Sequence, residues 1–151
     1  MDNIVDHFNG KLYSKEMIRK WKLPFKLEDE LEINEFDYFF ITSSKEEPHS
    51  KKHIHISLFP TRYSIIYLLE VKTSTIIPEL LHKSLKMIRE KKNDIITSTG
   101  FCTHKNVCFF GIFFSSSNKD SLDNLKEGIK KFEKVDDVKF YKYTSEGPSI
   151  L

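Results

Sequence analysis

One uninterrupted apolar run constrains this chain more than any other feature: Val107-Cys108-Phe109-Phe110-Gly111-Ile112-Phe113-Phe114. The run contains no charged residue and four phenylalanines. A strand with one face in water alternates apolar and polar side chains, and this run does not. Such a strand needs cover on both faces, either from this chain or from a second copy of it.

The run lies within a strand–helix–strand–strand–helix–strand pattern between Tyr63 and Tyr143. With two right-handed crossovers, this order predicts a four-stranded antiparallel sheet with both helices on one face, the ferredoxin-like arrangement. The predicted fold class is therefore α+β, a ferredoxin-like βαββαβ sheet preceded by a helical segment and a β-hairpin. The predicted division is an extension over 1–60, the ferredoxin-like domain over 61–144 and a tail over 145–151.

The extension contains two helical patterns and two strand patterns. Ile4, Val5 and Phe8 share one face of a first helix, and Ser14 suits the cap of a second helix that ends before Pro24. Strands are predicted over 36–42 and 53–59, where the second alternates His53-Ile54-His55-Ile56-Ser57-Leu58-Phe59. We expect these two strands to form a hairpin.

The sheet face opposite the two helices has no cover within the predicted domain. An open patch that includes Phe109, Phe110, Phe113 and Phe114 would exceed what soluble monomers normally expose. We therefore predict that these residues form a sheet face or interface. A homodimer is the expected partner arrangement, and the N-terminal strands or a ligand are the alternatives.

The segment Tyr63–Tyr143 resembles an ACT domain, a small regulatory module that binds amino acids and pairs with other copies. The resemblance rests on apolar spacing in four segments: Ile65–Val71, Ile76–Leu81, Asn106–Phe114 and Leu122–Val138. The family usually has a glycine at the turn from the first strand to the first helix, where backbone groups approach the ligand. This chain has Lys72-Thr73-Ser74-Thr75 at that turn.

Lys72, Thr73, Ser74 and Thr75 form the predicted ligand site. They follow a strand and open a helix, so their backbone N–H groups could face a carboxylate or a phosphate. An ordinary solvated helix cap is the alternative interpretation. An amino acid or another small anionic ligand is the expected partner, and no cofactor is predicted.

The histidines of the second N-terminal strand suggest two kinds of chemistry. His53 and His55 are two residues apart on one strand face, as metal ligands can be, but no Cys or carboxylate pattern completes a set, and no metal site is predicted. His55-Ile56-Ser57-Leu58 resembles one of the two motifs of the two-histidine phosphoesterases. Those enzymes need a second such motif as acid or base, and neither His82 nor His104 begins one.

Nucleic-acid binding is the other alternative. The aromatic strand invites comparison with RNA-recognition motifs, whose sheet aromatics stack on bases, although the basic-glycine-aromatic signature of those motifs is missing. Residues 1–50 hold seven Lys/Arg and eleven Asp/Glu, net −4, so the total of +2 leaves +6 for the remainder. An acidic N-terminal part does not favour a DNA-binding helix-turn-helix of the kind found in leucine-responsive regulators.

Compartment and redox state follow from a few further features. The start Met1-Asp2-Asn3 lacks the pattern of a secretory signal, and no apolar run reaches the ~18 residues of a membrane span, so a cytoplasmic protein without membrane contact is expected. For Cys102 and Cys108 we expect two buried free thiols, with a disulfide between paired strands as the alternative.

Together these patterns predict a non-enzymatic, dimeric protein that regulates or senses a small ligand. An RNA-binding protein is the alternative from another class, and a phosphoesterase is the third.

Overall fold

The computed structural model of this chain describes residue 5 and residues 9–24, 26–46, 53–117 and 120–151. Within these residues the chain forms eight strands and four α-helices, with a short 3-10 helix before the second strand. In chain order they are β1 (Asn9–Ser14), α1 (Lys15–Lys20), α2 (Leu27–Glu30), the 3-10 helix (Ile33–Glu35), β2 (Tyr38–Glu46), β3 (His53–Thr61), β4 (Ile66–Thr73), α3 (Pro78–Glu90), β5 (Asp94–His104), β6 (Val107–Ser115), α4 (Asp120–Lys130), β7 (Val135–Thr144) and β8 (Gly147–Ile150).

The strands form two antiparallel sheets, one of three strands in the order β1-β2-β3 and one of five strands in the order β5-β6-β4-β7-β8. The predicted fold class, a four-stranded ferredoxin-like sheet with a helical segment and a hairpin, is therefore wrong. Residues 147–150, which we expected in a tail, pair with β7 and add a fifth strand. Residues 9–14 form a strand that pairs with β2, so the N-terminal part is a sheet in its own right.

β6 is buried on both faces, as its sequence predicts: every residue from Cys108 to Ser115 is buried. On one face of the five-stranded sheet, α3 and α4 cover an apolar layer. The helices contribute Leu80, Ile88, Leu125 and Ile129 to this layer, at spacings that place them on one side of each helix.

The three-stranded sheet covers the other face of the five-stranded sheet, and aromatic rings fill the space between them. Phe40 of β2 lies at the centre, with its ring centroid 5.4 Å from those of both Phe113 and Tyr143. Gly10 of β1 allows this close approach, because a Cβ there would lie 3.1 Å from the Phe40 ring and 3.2 Å from the Tyr143 ring. The chain itself thus supplies the second cover that β6 requires.

The outer face of the three-stranded sheet is covered in part by α1 and the residues that follow it. Ile18 and Ile33 pack there against Phe39, and all three are buried. The predicted cap of α1 is confirmed: the Ser14 hydroxyl accepts a hydrogen bond from the backbone N–H of Met17, at 3.4 Å. Of the helix predicted to carry Ile4, Val5 and Phe8, only Val5 is among the described residues. It packs against the cluster around Phe40 between the two sheets, which we call the inter-sheet core.

Cys102 and Cys108 form a disulfide, so the expectation of free thiols is wrong. The two residues are directly paired across β5 and β6, with a Cα–Cα distance of 4.0 Å. Cys108 is buried, whereas Cys102 is exposed on the edge strand β5. Cross-strand pairing brings the two sulfur atoms together, an arrangement that spacing along the chain leaves undetermined.

None of the helices in the described part of the chain has the length and apolar character that crossing a bilayer requires.

Candidate ligand-binding cleft

The predicted ligand loop, Lys72 to Thr75, lies at the end of β4. The pairing of β4 with β7 shifts its register between Lys72 and Thr73, and the buried Thr73 hydroxyl donates a hydrogen bond to the Thr75 carbonyl, at 2.7 Å. The helix that follows begins at Pro78, so Lys72 to Thr75 do not open it directly as predicted. Ile77 occupies the cap position and has no side-chain cap bond, while Pro78 suits the first helical turn. The assignment of a ligand to this loop stays a prediction.

A cavity of about 390 Å³ lies between the start of α3 and the turn after α4, and none of the residues Lys72 to Thr75 lines it. Ile77, Leu80 and Phe132 are its apolar lining residues. The Lys83 ammonium, also in its lining, lies 3.2 Å from the Glu79 carboxylate and 5.8 Å from the centre of the Phe132 ring. Lys83 therefore already has an acidic and an aromatic partner within the chain.

The four phenylalanines predicted as a sheet face or interface are divided between two cores. Phe109 and Phe113 are 3% and 2% exposed and face the three-stranded sheet, whereas Phe110 and Phe114 lie under the helices. All four rings are covered by this chain. The reason for expecting a second subunit or a nucleic-acid base on this face therefore no longer applies, and the homodimer stays a prediction without that support.

A larger cleft, of about 570 Å³, lies at the other end of β4, between the two sheets. One wall comes from β1, α1 and β2 of the N-terminal part, and the other from the start of β4 and the end of β7. We call it the inter-sheet cleft. Its nine lining residues are Leu12, Tyr13, Ser14, Met17, Tyr38, Ser64, Ile65, Thr144 and Ser145.

Strand pairing places these residues together. Ser14 of β1 is directly opposite Tyr38 of β2, which brings both to the same end of the three-stranded sheet. Ile66 of β4 is opposite Tyr143 of β7, so the neighbouring residues Ile65 and Thr144 lie at the corresponding end of the five-stranded sheet. The cleft therefore lies where the matching ends of two sheets meet.

The lining chemistry is uncharged. Leu12, Met17 and Ile65 are apolar, and each of the other six residues carries a hydroxyl group. The Ser14 and Thr144 hydroxyls accept hydrogen bonds from the backbone N–H groups of Met17 and Glu146. A hydroxyl that accepts in this way keeps its own proton to donate. The cleft thus offers apolar contact and several neutral hydrogen-bonding groups to a small molecule.

Met17 is the most exposed apolar residue of the lining, at 42%. It lies on α1, a helix of six residues whose position depends on the Ser14 cap and on the buried Ile18. Sequence reasoning identified Ser14 only as a helix cap and missed the cleft. Its residues come from four separated parts of the chain, and no local motif connects them.

None of the described histidines lines the inter-sheet cleft. His53 and His55 are on β3, an edge strand of the three-stranded sheet, and their Nε2 atoms are 2.8 Å apart. His82 is on α3, beyond the opposite face of the five-stranded sheet, and so is not placed to act with His55 as an acid–base pair. Among the described residues, no group of three or more His, Cys, Asp or Glu side chains is arranged to hold a metal ion.

Comparison with known proteins gives no relative for this chain: no protein-family model matches it, and a search of curated proteins finds no significant match. The resemblance to ACT domains is therefore supported only by the apolar spacing described above.

Proposed function

We propose that this protein is a non-enzymatic small-ligand sensor, and that its ligand is an uncharged, largely apolar molecule bound in the inter-sheet cleft. The observation that carries the proposal is the lining of that cleft. Its volume of about 570 Å³ falls within the usual range for small-molecule sites, and it combines apolar walls with a few neutral polar groups. No charged residue lines it, which disfavours an ionic ligand.

A ligand in the cleft would contact both sheets at once. One side of the molecule would touch β1 and α1, and the other would touch residues beside β4 and β7. A molecule that binds only the folded chain stabilises it by mass action, and here it would also hold α1 against the five-stranded sheet. We infer that α1, with the exposed Met17, and the adjoining exposed Trp21 are the part of the surface that changes when the ligand binds.

The other functional predictions have less support in the described residues. RNA bases cannot stack on Phe109 or Phe113 while the three-stranded sheet covers those rings. An anionic ligand at Lys72–Thr75, a cytoplasmic location and a homodimer stay predictions. The disulfide is more typical of oxidising compartments than of the cytoplasm.

The test uses N-phenyl-1-naphthylamine, an uncharged apolar dye whose emission rises in apolar surroundings. We expect saturable binding of one dye molecule per wild-type chain. Ser64→Phe should strongly weaken the affinity for the dye, because Ser64 is an exposed lining residue and a phenyl ring there would fill part of the cleft.

Ser74→Phe is the matched control. Ser74 is also an exposed serine beside β4, but it follows the strand instead of preceding it, so the eight-residue strand, about 26 Å long, lies between the two serines. Wild-type binding by Ser74→Phe together with loss in Ser64→Phe would support the cleft. Loss of binding only in Ser74→Phe, or equal binding by all three proteins, would contradict the cleft.

A further inference from the structure

A second candidate site, independent of the proposed ligand, lies on β3. This strand alternates, so His53 and His55 point to the same face, and their ring centroids are 4.8 Å apart. Their Nε2 atoms approach to 2.8 Å. At this distance one imidazole can donate a hydrogen bond through its Nε2–H and the other can accept it, the roles being set by the tautomers.

The same separation suits two ligands of one metal ion. With metal–nitrogen bonds of about 2.0–2.1 Å, two nitrogens at a right angle are about 2.9 Å apart, and two at a tetrahedral angle are about 3.3 Å apart. The observed 2.8 Å is close to the right-angle value. Right-angle ligand pairs are typical of the tetragonal coordination of Cu²⁺ and Ni²⁺, for which imidazole is a suitable ligand.

The strand holds this pair in place before any metal arrives. β3 is paired with β2 along its whole length, with Ser44 opposite His55 and Phe40 opposite Phe59. Phe59, four residues after His55, packs against the core between the two sheets and so anchors the strand. A preorganised pair loses less conformational entropy on binding than two independent side chains would.

We propose that His53 and His55 together bind one divalent transition-metal ion, Cu²⁺ or Ni²⁺, through their Nε2 atoms. For both Nε2 atoms to coordinate the ion, the ring that donates the hydrogen bond moves its proton from Nε2 to Nδ1, so each ring keeps one proton and presents its Nε2 lone pair to the metal. His55 is exposed, so solvent can reach the ion. Among the side chains that the structure describes, no third His, Cys, Asp or Glu joins His53 and His55 in a metal-binding group.

The experiment is an isothermal titration calorimetry measurement in which Ni²⁺ alone is added to the full chain, for wild type and three alanine variants. We expect one Ni²⁺ per wild-type chain. His53→Ala and His55→Ala should each weaken binding roughly tenfold or more, because either change leaves a single nitrogen. His82→Ala is the matched control, an exposed histidine on α3, and should bind like wild type.

Amide NMR spectra locate the ion independently of affinity. Paramagnetic Ni²⁺ should broaden the signals of His53–Ser57 and of the paired residues of β2 first. Unchanged binding in His55→Ala, loss in only one of the two strand variants, or the absence of stoichiometric binding to wild type would each overturn the proposal.

Discussion

The indole ring of Trp21 lies edge-on to the phenol ring of Tyr13, with 4.8 Å between their centroids and 67° between their planes. Tyr13 lines the inter-sheet cleft, whereas Trp21 is 43% exposed at the end of α1. Trp21 is also the only tryptophan in the chain. A surface residue with a distinct fluorescence signal is thus in direct ring contact with the wall of the candidate site.

This contact predicts that tryptophan emission reports on occupancy of the cleft. When N-phenyl-1-naphthylamine binds there, excitation of Trp21 should transfer energy to the dye, so tryptophan emission falls as dye emission rises. Trp21→Phe should abolish the transfer but retain binding when the dye is excited directly. Dye binding without loss of tryptophan emission would show that the dye occupies another part of the protein.

The close approach of the two sheets predicts that Gly10→Ala destabilises the fold. Its new methyl group would press on the rings of Phe40 and Tyr143, both of which are fully buried in the space between the sheets. Overpacking of this kind costs about 1–3 kcal/mol, which exceeds the roughly 0.5–1 kcal/mol that Ala gains over Gly in a strand. Urea unfolding measures the change in the free energy of unfolding.

Gly100→Ala is the control for this prediction. Gly100 lies on β5, where a new Cβ would be 3.5 Å from the Phe109 carbonyl oxygen, an ordinary contact distance. We expect its stability to equal or slightly exceed that of wild type. Equal destabilisation by the two substitutions would contradict the view that Gly10 sets the distance between the sheets.

The disulfide predicts a reductant-sensitive stability. Cys102 and Cys108 are six residues apart, and closing so short a loop stabilises a chain by about 2 kcal/mol in the chain-entropy description. Chemical reduction should lower the free energy of unfolding by about that amount, measured by urea titration with and without reductant. A Cys102→Ala/Cys108→Ala double variant should be insensitive to reductant, and an unchanged curve for the wild type would contradict the prediction.

Burial raises the pKa of Tyr143 well above its ordinary value of 10.0, and the neighbouring Tyr141 and Glu70 raise it further. The unfolded chain then loses this proton at a lower pH than the folded chain does. Tyr143 therefore contributes full stability below pH 10.0, and this contribution falls as the pH rises above that value. Burial also raises the pKa of Tyr67, which acts in the same direction.

Tyr143→Phe removes one of these groups, so its free energy of unfolding should fall less steeply than that of wild type as the pH rises above about 10. Tyr63→Phe, at an exposed position, is the control and should keep the wild-type slope. Urea unfolding at a series of pH values gives both slopes. A wild-type slope in Tyr143→Phe would show that the phenol is not protected from deprotonation in the folded chain.

Much of the local structure follows from the sequence alone. The charge-free run from Val107 to Phe114 required burial on both faces, and β6 is buried on both faces. Ser14 was recognised as a helix cap because a hydroxyl before an acidic first turn satisfies a free backbone N–H. The alternation in β3 placed His53 and His55 on one face. Each of these inferences depends on interactions within a few residues or on the solubility of a side chain.

The tertiary structure decided which segments of the chain pair with each other and which of them cover the aromatic strand. Residues 9–14 are a strand because Leu12 pairs with Phe40, which is 28 positions away in the sequence, and a six-residue segment has too little intrinsic preference to reveal such a pairing. Residues 147–150, the disulfide and the inter-sheet cleft likewise depend on partners brought together by strand register. The sequence determined that the aromatic strand must be covered on both faces. Only long-range pairing, which local propensity does not encode, determined that the chain covers it with its own N-terminal sheet.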